Sequence, residues 1–156
     1  MALLAHYTSA LHDAEIARIR RTLALRGLLG EGHSQAEMAA QFGLTQPAVS
    51  YQVSPKRTEG VKPRDLLDAG RDILRQMAED RGFRKLGVFG SVARGEDTPD
   101  SDLDFVVEPP ARASLVDLAA LQQTFSRILG RQVDMITYGG LDPVLDRDIL
   151  RDTELV

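Results

Sequence analysis

The chain has 156 residues, 43% of them hydrophobic and 27% charged, with a formal net charge of -4, enough for one ordinary domain or two small ones with packed cores. It contains no cysteine, which excludes disulfides, thiolate metal sites and cysteine nucleophiles and suits a cytoplasmic protein. No apolar run approaches the roughly 20 residues needed to span a bilayer, the first residues lack the basic region of a signal peptide, and the absence of tryptophan with only 5% aromatics disfavours base-stacking platforms.

In chain order, the spacing of Ile16, Ile19 and Leu23 predicts a helix from Asp13 to Leu29, stopped by Gly30 and Gly32. Ser34, followed three residues later by Glu37, marks the start of a short helix to Gln41. Gly43 supplies the backbone freedom for a tight turn. Thr45 then caps a third helix to Gln52, with Pro47 tolerated in its first turn. Residues 54–63 are polar and contain Pro55, Gly60 and Pro63, the composition of a linker. Arg64 to Asp80 reads as a helix buried through Leu66, Leu67, Ile73, Leu74 and Met77. Leu86 to Phe89 is a short buried strand, residues 90–101 a Gly-rich turn, a helical turn and a polar loop, and Leu103 to Val107 a second strand. Ser114 caps a helix to Leu129, where Gly130 is a natural stop. Val133 to Ile136 is a third strand, and Pro143 to Asp152 a last helix. Charge divides unevenly along this order: residues 1–62 carry seven Lys/Arg and five Asp/Glu, and the remainder carry twelve and eighteen. The two parts therefore differ in sign, though a balance of +2 is a modest footprint for nucleic acid.

Chemistry concentrates in residues 86–107. Gly90-Ser91 follows a strand and opens a helical turn, an arrangement whose backbone N–H groups and hydroxyl suit phosphate oxygens. Arg94, one turn on, can add charge-assisted bonds. Asp102 and Asp104 flank Leu103, so on a strand both carboxylates point to one face, roughly 6.5–7 Å apart at the backbone. Like charges so placed repel unless a cation lies between them, and all-oxygen ligands suit Mg²⁺. Asp134 interrupts the apolar run Val133–Ile136; if its strand lies beside that of Asp102 and Asp104, the three acids converge as a site for two cations. Taken one at a time, Gly90-Ser91 as an ordinary turn, Asp102 as a cap and Asp134 as a partner of Arg131 are bland readings of equal weight.

Taken together, Gly90-Ser91, Ala93-Arg94-Gly95-Glu96, Ser101-Asp102-Leu103-Asp104 and Val133-Asp134-Met135 stand in the order of the minimal nucleotidyltransferases of the DNA polymerase beta superfamily, which residues 64–152 resemble. The resemblance implies Mg²⁺ on Asp102, Asp104 and Asp134, with Asp134 also assisting as general base. It places the triphosphate of ATP or another NTP on Gly90 and Ser91, with Arg94 and Ser101 completing the nucleotide site. In the first part, SQAEMAAQFGLTQPAVSYQ resembles the helix-turn-helix of lambda-repressor-like proteins. That implies DNA contacts through Gln35, Thr45, Gln46, Pro47, Ser50, Tyr51 and Lys56, over a core of Ala36, Met38, Ala39, Phe42, Leu44, Ala48 and Val49.

The expected fold is therefore α+β: an all-α helix-turn-helix domain over 1–56, a linker over 57–63, and an α/β nucleotidyltransferase domain with a small mixed sheet over 64–156. Minimal nucleotidyltransferases often act as antitoxins that modify a tyrosine of a HEPN-type RNase toxin. The resemblance thus implies operator DNA and a HEPN-type toxin as partners, in a homodimer or a hetero-oligomer. The alternative is a DNA-binding regulator whose nucleotidyltransferase fold is a non-catalytic nucleotide sensor or interaction surface. Arg26 and His33 match the spacing of an RNase motif of HEPN toxins; beside a helix end in this context the match is read as coincidence.

Overall fold

The computed structural model describes all residues, 1–156. It opens with a long helix, α1 (Ala2–Gly30), followed by two eight-residue helices, α2 (Gln35–Phe42) and α3 (Gln46–Val53). Ser34 and Thr45 start these helices by accepting hydrogen bonds from the Glu37 and Ala48 N–H groups at 3.1 and 3.2 Å. Gly43, with φ +66, makes the turn between them, a backbone state that costs glycine nothing. A 3-10 turn (Pro55–Thr58) leads to α4 (Pro63–Glu79), β1 (Arg84–Phe89), the single turn α5 (Gly90–Ala93) and β2 (Leu103–Glu108). The chain continues through α6 (Leu115–Leu129), β3 (Val133–Thr137), a 3-10 turn at Tyr138–Gly140, α7 (Arg147–Asp152) and β4 (Glu154–Leu155).

The four strands form one mixed sheet in the order β3-β2-β1-β4. β1 runs antiparallel to β2 and to β4, and β2 runs parallel to β3. Alternation then sorts the side chains by face. Leu103, Phe105 and Val107 of β2, Leu86 and Val88 of β1, and Val133 and Met135 of β3 enter the main core. There they meet Leu66, Leu67 and Leu74 of α4 and Leu121, Phe125 and Ile128 of α6. Phe105 and Phe125 pack edge to face, ring centroids 5.3 Å apart. Asp104 and Asp134 fall on the opposite face.

The helix α1 joins both parts of the molecule. Ile19 and Leu23 are fully buried in the main core, while Leu25 packs with Met38, Ala39 and Val49 in a second, smaller cluster. Where α1 meets α4, a Cβ at Gly70 would stand 2.9 Å from Leu23 Cδ1. One methyl there is accommodated by a rotation of the flexible Leu23 tip, but a branched side chain is not. Gly70→Val should therefore cost about 1–3 kcal/mol and Gly70→Ala little, as read from urea midpoints; equal midpoints for both would refute this packing.

Several features differ from the sequence-based expectation. The first helix begins at Ala2, eleven residues before Asp13, because Ala and Leu make up six of the eleven residues of ALLAHYTSALH and no Gly or Pro interrupts it, although none of it is buried. Phe42 and Leu44, expected in the core of the small bundle, are 47% and 37% exposed, and Ala36 is exposed as well; α2 is too short to bury more than one face, which Met38 and Ala39 occupy. The last helix starts at Arg147, not Pro143, because the Asp142 carboxylate accepts from the Val144 and Leu145 N–H groups and holds that stretch as a turn. Strand β4 has no counterpart in the sequence reading, since two residues are too few to show a period.

Residues 57–63, expected to link two domains, are packed on both sides. Thr58 is buried, and the Val61 carbonyl accepts from Arg131 at 2.8 Å. Arg26, 6% exposed, donates to the Val53, Ser54 and Ile128 carbonyls and to Thr58 Oγ1, at 2.9–3.2 Å. It has no carboxylate partner: its charge rests on the carbonyl-rich C-terminal ends of α3 and α6, where cations are favoured. Burial lowers its pKa from the usual arginine value. Committed to these four acceptors, Arg26 is not part of an RNase motif with His33.

Candidate active site

The sheet register brings the acids together. Asp104 pairs across β2 and β3 with Asp134, and across β2 and β1 with Phe89, the residue just before Gly90. Asp102 lies immediately before β2, on the same side as Asp104 because Leu103 between them is fully buried. Asp104 is half-buried; Asp102 and Asp134 are exposed. None of the three forms an ion pair. Arg131, the one bland partner for Asp134, is instead bonded to the Pro99, Ser101 and Val61 carbonyls.

The electrostatics follow from this placement. Burial pushes the Asp104 carboxyl above its ordinary value, the negative charges of Asp134 and Asp102 push it further, and Arg94 opposes them weakly. A half-buried carboxylate between two others, with no paired cation, is a costly arrangement. The three groups are not drawn into a closed cage of ligands. Yet their chemistry fits a hard divalent cation: three carboxylates of one face, uncompensated, with oxygen donors only.

Gly90 supplies the other wall. Its φ is +75, and a Cβ built there would lie 2.2 Å from Asp104 Oδ2. Glycine is thus needed twice, for the backbone turn and for the approach of the carboxylate. Gly90→Ala should lower activity by about 100-fold or more, since a displacement of 1 Å at reacting groups has that effect, and the strained φ should cost about 1–2 kcal/mol of stability as well. Wild-type turnover in that variant would show that Asp104 has room to move.

No side chain caps α5, so its first N–H groups are open to an acceptor. Ser91 is partly exposed beside them. Arg94 is exposed and pairs with Glu96 at 3.0 Å. The Ser101 hydroxyl is occupied in its own loop, accepting from the Thr98 N–H at 2.9 Å; it shapes the approach to Asp102. Arg131 does the same from the other side by holding the Pro99 and Ser101 carbonyls, a role that no local spacing in the sequence announces. The other set of candidates stands apart on the first helices. Gln46, Pro47, Ser50, Tyr51 and Lys56 are exposed, Gln35 is partly so, and the exposed Thr45 spends its hydroxyl on the cap of α3. Arg57 lies over the Tyr51 ring, 4.7 Å from its centroid, and donates to its hydroxyl at 3.0 Å.

The family model described as nucleotidyltransferase domain matches residues 69–156. The chain belongs to this family. The match takes in α5, all four strands and every one of Gly90, Ser91, Asp102, Asp104 and Asp134. Among relatives of this nucleotidyltransferase, a Methanocaldococcus jannaschii protein assigned as a protein adenylyltransferase is 38% identical over 71 residues, 46% of this chain and 76% of that one. The protein adenylyltransferase MntA of Thermococcus cleftensis is 33% identical over 82 residues, 53% of this chain and 83% of that one. A solved minimal nucleotidyltransferase superposes with a TM-score of 0.55 at 35% identity, covering 60% of this chain and 95% of the other. The chain is therefore a nucleotidyltransferase, similar over its second part to proteins named as protein adenylyltransferases. Its first 68 residues, with α1–α3, lie outside the family match. No helix is long and apolar enough to cross a membrane.

Proposed function

We propose that the chain transfers AMP from ATP to a hydroxyl of a protein, in a reaction that requires Mg²⁺ held by Asp102, Asp104 and Asp134. The observation that carries this reading is the register Phe89–Asp104–Asp134, which sets the half-buried Asp104 between a second carboxylate and the Gly90 turn. Bound Mg²⁺ would neutralise the triphosphate and lower the barrier to displacement at phosphorus. The chain's own groups do the rest. The open N–H groups of Gly90 and Ser91 hold phosphate oxygens, and Arg94, released from Glu96, adds a charged donor. Asp134 takes the proton of the acceptor hydroxyl. The acceptor oxygen then bonds the α-phosphorus, the bond to the β-phosphate bridging oxygen breaks, and pyrophosphate leaves.

The acceptor we favour is a tyrosine of a HEPN-type toxin, which makes the protein an antitoxin. Curated relatives named as protein adenylyltransferases support a protein acceptor. Helices α2 and α3, with Gln46, Pro47 and Ser50 exposed, would bind the operator of the same operon. ATP labelled at the α-phosphate should mark the acceptor and ATP labelled at the γ-phosphate should not; marking from the γ position would mean phosphoryl transfer. For the DNA role, retarded migration of the upstream DNA, lost in Gln46→Ala/Ser50→Ala, is the expected outcome, and unchanged retardation in that variant would remove α3 from the interface.

A further inference from the structure

The first half of α1 stands clear of the rest of the molecule. Every residue from Met1 to Glu15 is exposed, so the helix projects from the body by its first four turns. A helix of that length is marginal in water without packing. One side of it is apolar: Leu4, Tyr7 and Leu11 recur at alternating spacings of three and four and are 62%, 66% and 56% exposed, with Leu3 beside them at 83%. The first twelve residues contain no Asp, Glu, Lys or Arg. Apart from the N-terminal amine, His6 and His12, this arm offers no group to grip the phosphates of DNA or a strongly charged partner.

The other end of the same helix carries a matching feature. Leu25 and Leu28 continue the same three-and-four spacing, and together with Ala24, Phe42 and Leu44 they line an apolar groove between α1 and α2. An exposed apolar stripe and an exposed apolar groove at opposite ends of one helix are what an antiparallel two-fold pairing uses, because each copy offers both halves of the contact. We propose that a second copy of this chain docks along α1, the arm of each protomer lying in the groove of the other. Leu4 then faces Leu28, and Tyr7 faces Leu25. The large side chains of arm and groove, with the stems of Arg18 and Arg21 at the centre, would bury on the order of 700–800 Å² per protomer, the size of a standard specific interface. This pairing also accounts for Phe42 and Leu44, which stay open to solvent in a single chain.

The proposal does not depend on nucleotidyl transfer. It is tested by light scattering on the full-length protein across the micromolar range, without nucleic acid. The wild type should have twice the 17.1 kDa chain mass. Leu4→Glu/Leu11→Glu should have the single mass, as should Phe42→Glu, each with a dissociation constant raised about 100-fold or more as charges enter a packed interface. Because the arm has no packing within its own chain, the arm variant should lose at most the helical circular dichroism of the arm itself and keep the melting temperature of wild type at high dilution. A wild type of single mass throughout, or an arm variant that retains the double mass, overturns the proposal.

Discussion

Asp104→Asn should lower nucleotidyl transfer by about 10³-fold and yet raise the stability of the metal-free protein at neutral pH. The two effects have one origin. Asp104 is half-buried between Asp134 and Asp102, and its carboxyl is pushed above the ordinary value first by burial and then by those two charges. A carboxyl whose folded pKa exceeds its unfolded pKa binds its proton more tightly in the native state. Stability is then greatest at acid pH and falls as pH rises from the unfolded value through the folded one. The uncharged amide of the variant escapes that loss. Removing metal with a chelator should reproduce the low stability of wild type, and adding Mg²⁺ should raise its melting temperature at neutral pH, as a ligand of the folded state must. The Asp104→Asn protein should show little of that gain. Thermal melts of both proteins with and without Mg²⁺ decide the matter: a variant less stable than wild type would make Asp104 a structural residue.

Arg26→Met should be the most destabilising single change in the first part of the chain. The substitution keeps much of the apolar stem but strands the Val53 and Ile128 carbonyls, and it takes one of two hydrogen bonds from the Ser54 carbonyl and from the Thr58 hydroxyl. An unsatisfied buried acceptor costs roughly 1–3 kcal/mol, so the total should reach about 3 kcal/mol or more. For a chain of this size that corresponds to a fall in melting temperature of roughly 6–12 °C. The carbonyls belong to α3, to the 54–58 turn and to the end of α6, so the loss should loosen the first helices from the transferase part and not only lower the midpoint. Proteolysis should then cut near residues 54–62 in Arg26→Met and spare wild type. A wild-type midpoint together with an unchanged cleavage pattern would show that Arg26 is dispensable to the junction.

The acidic face beside Gly90, proposed as catalytic, was legible in the sequence because it is built from local rules. Asp102 and Asp104 flank a fully buried Leu103, Gly90 needs a positive φ, and Asp134 stands alone in an apolar strand; each feature follows from alternation or from backbone sterics. What the sequence left open was the strand register, and the parallel pairing of Asp104 with Asp134 supplied it. The junction was not legible. Arg26 lies 102 residues from Ile128, whose carbonyl it meets, and Arg131 lies 70 from Val61; neither pairing has a periodic signature. Residues 54–63 have the composition of a loop, and composition does not say that a buried guanidinium threads through it. The arm of α1 escapes sequence reading for the opposite reason: periodicity is a sign of burial within the chain, and Leu4, Tyr7 and Leu11 are periodic without it.

The central claim, transfer of a nucleotide through the three aspartates, is tested most directly by incubating the protein with α-labelled ATP, Mg²⁺ and the product of the adjacent gene. Label should appear on that neighbour with wild type and vanish with Asp102→Ala/Asp104→Ala. No label on it from any of the four nucleotides, or label that persists in the double variant, would contradict the account.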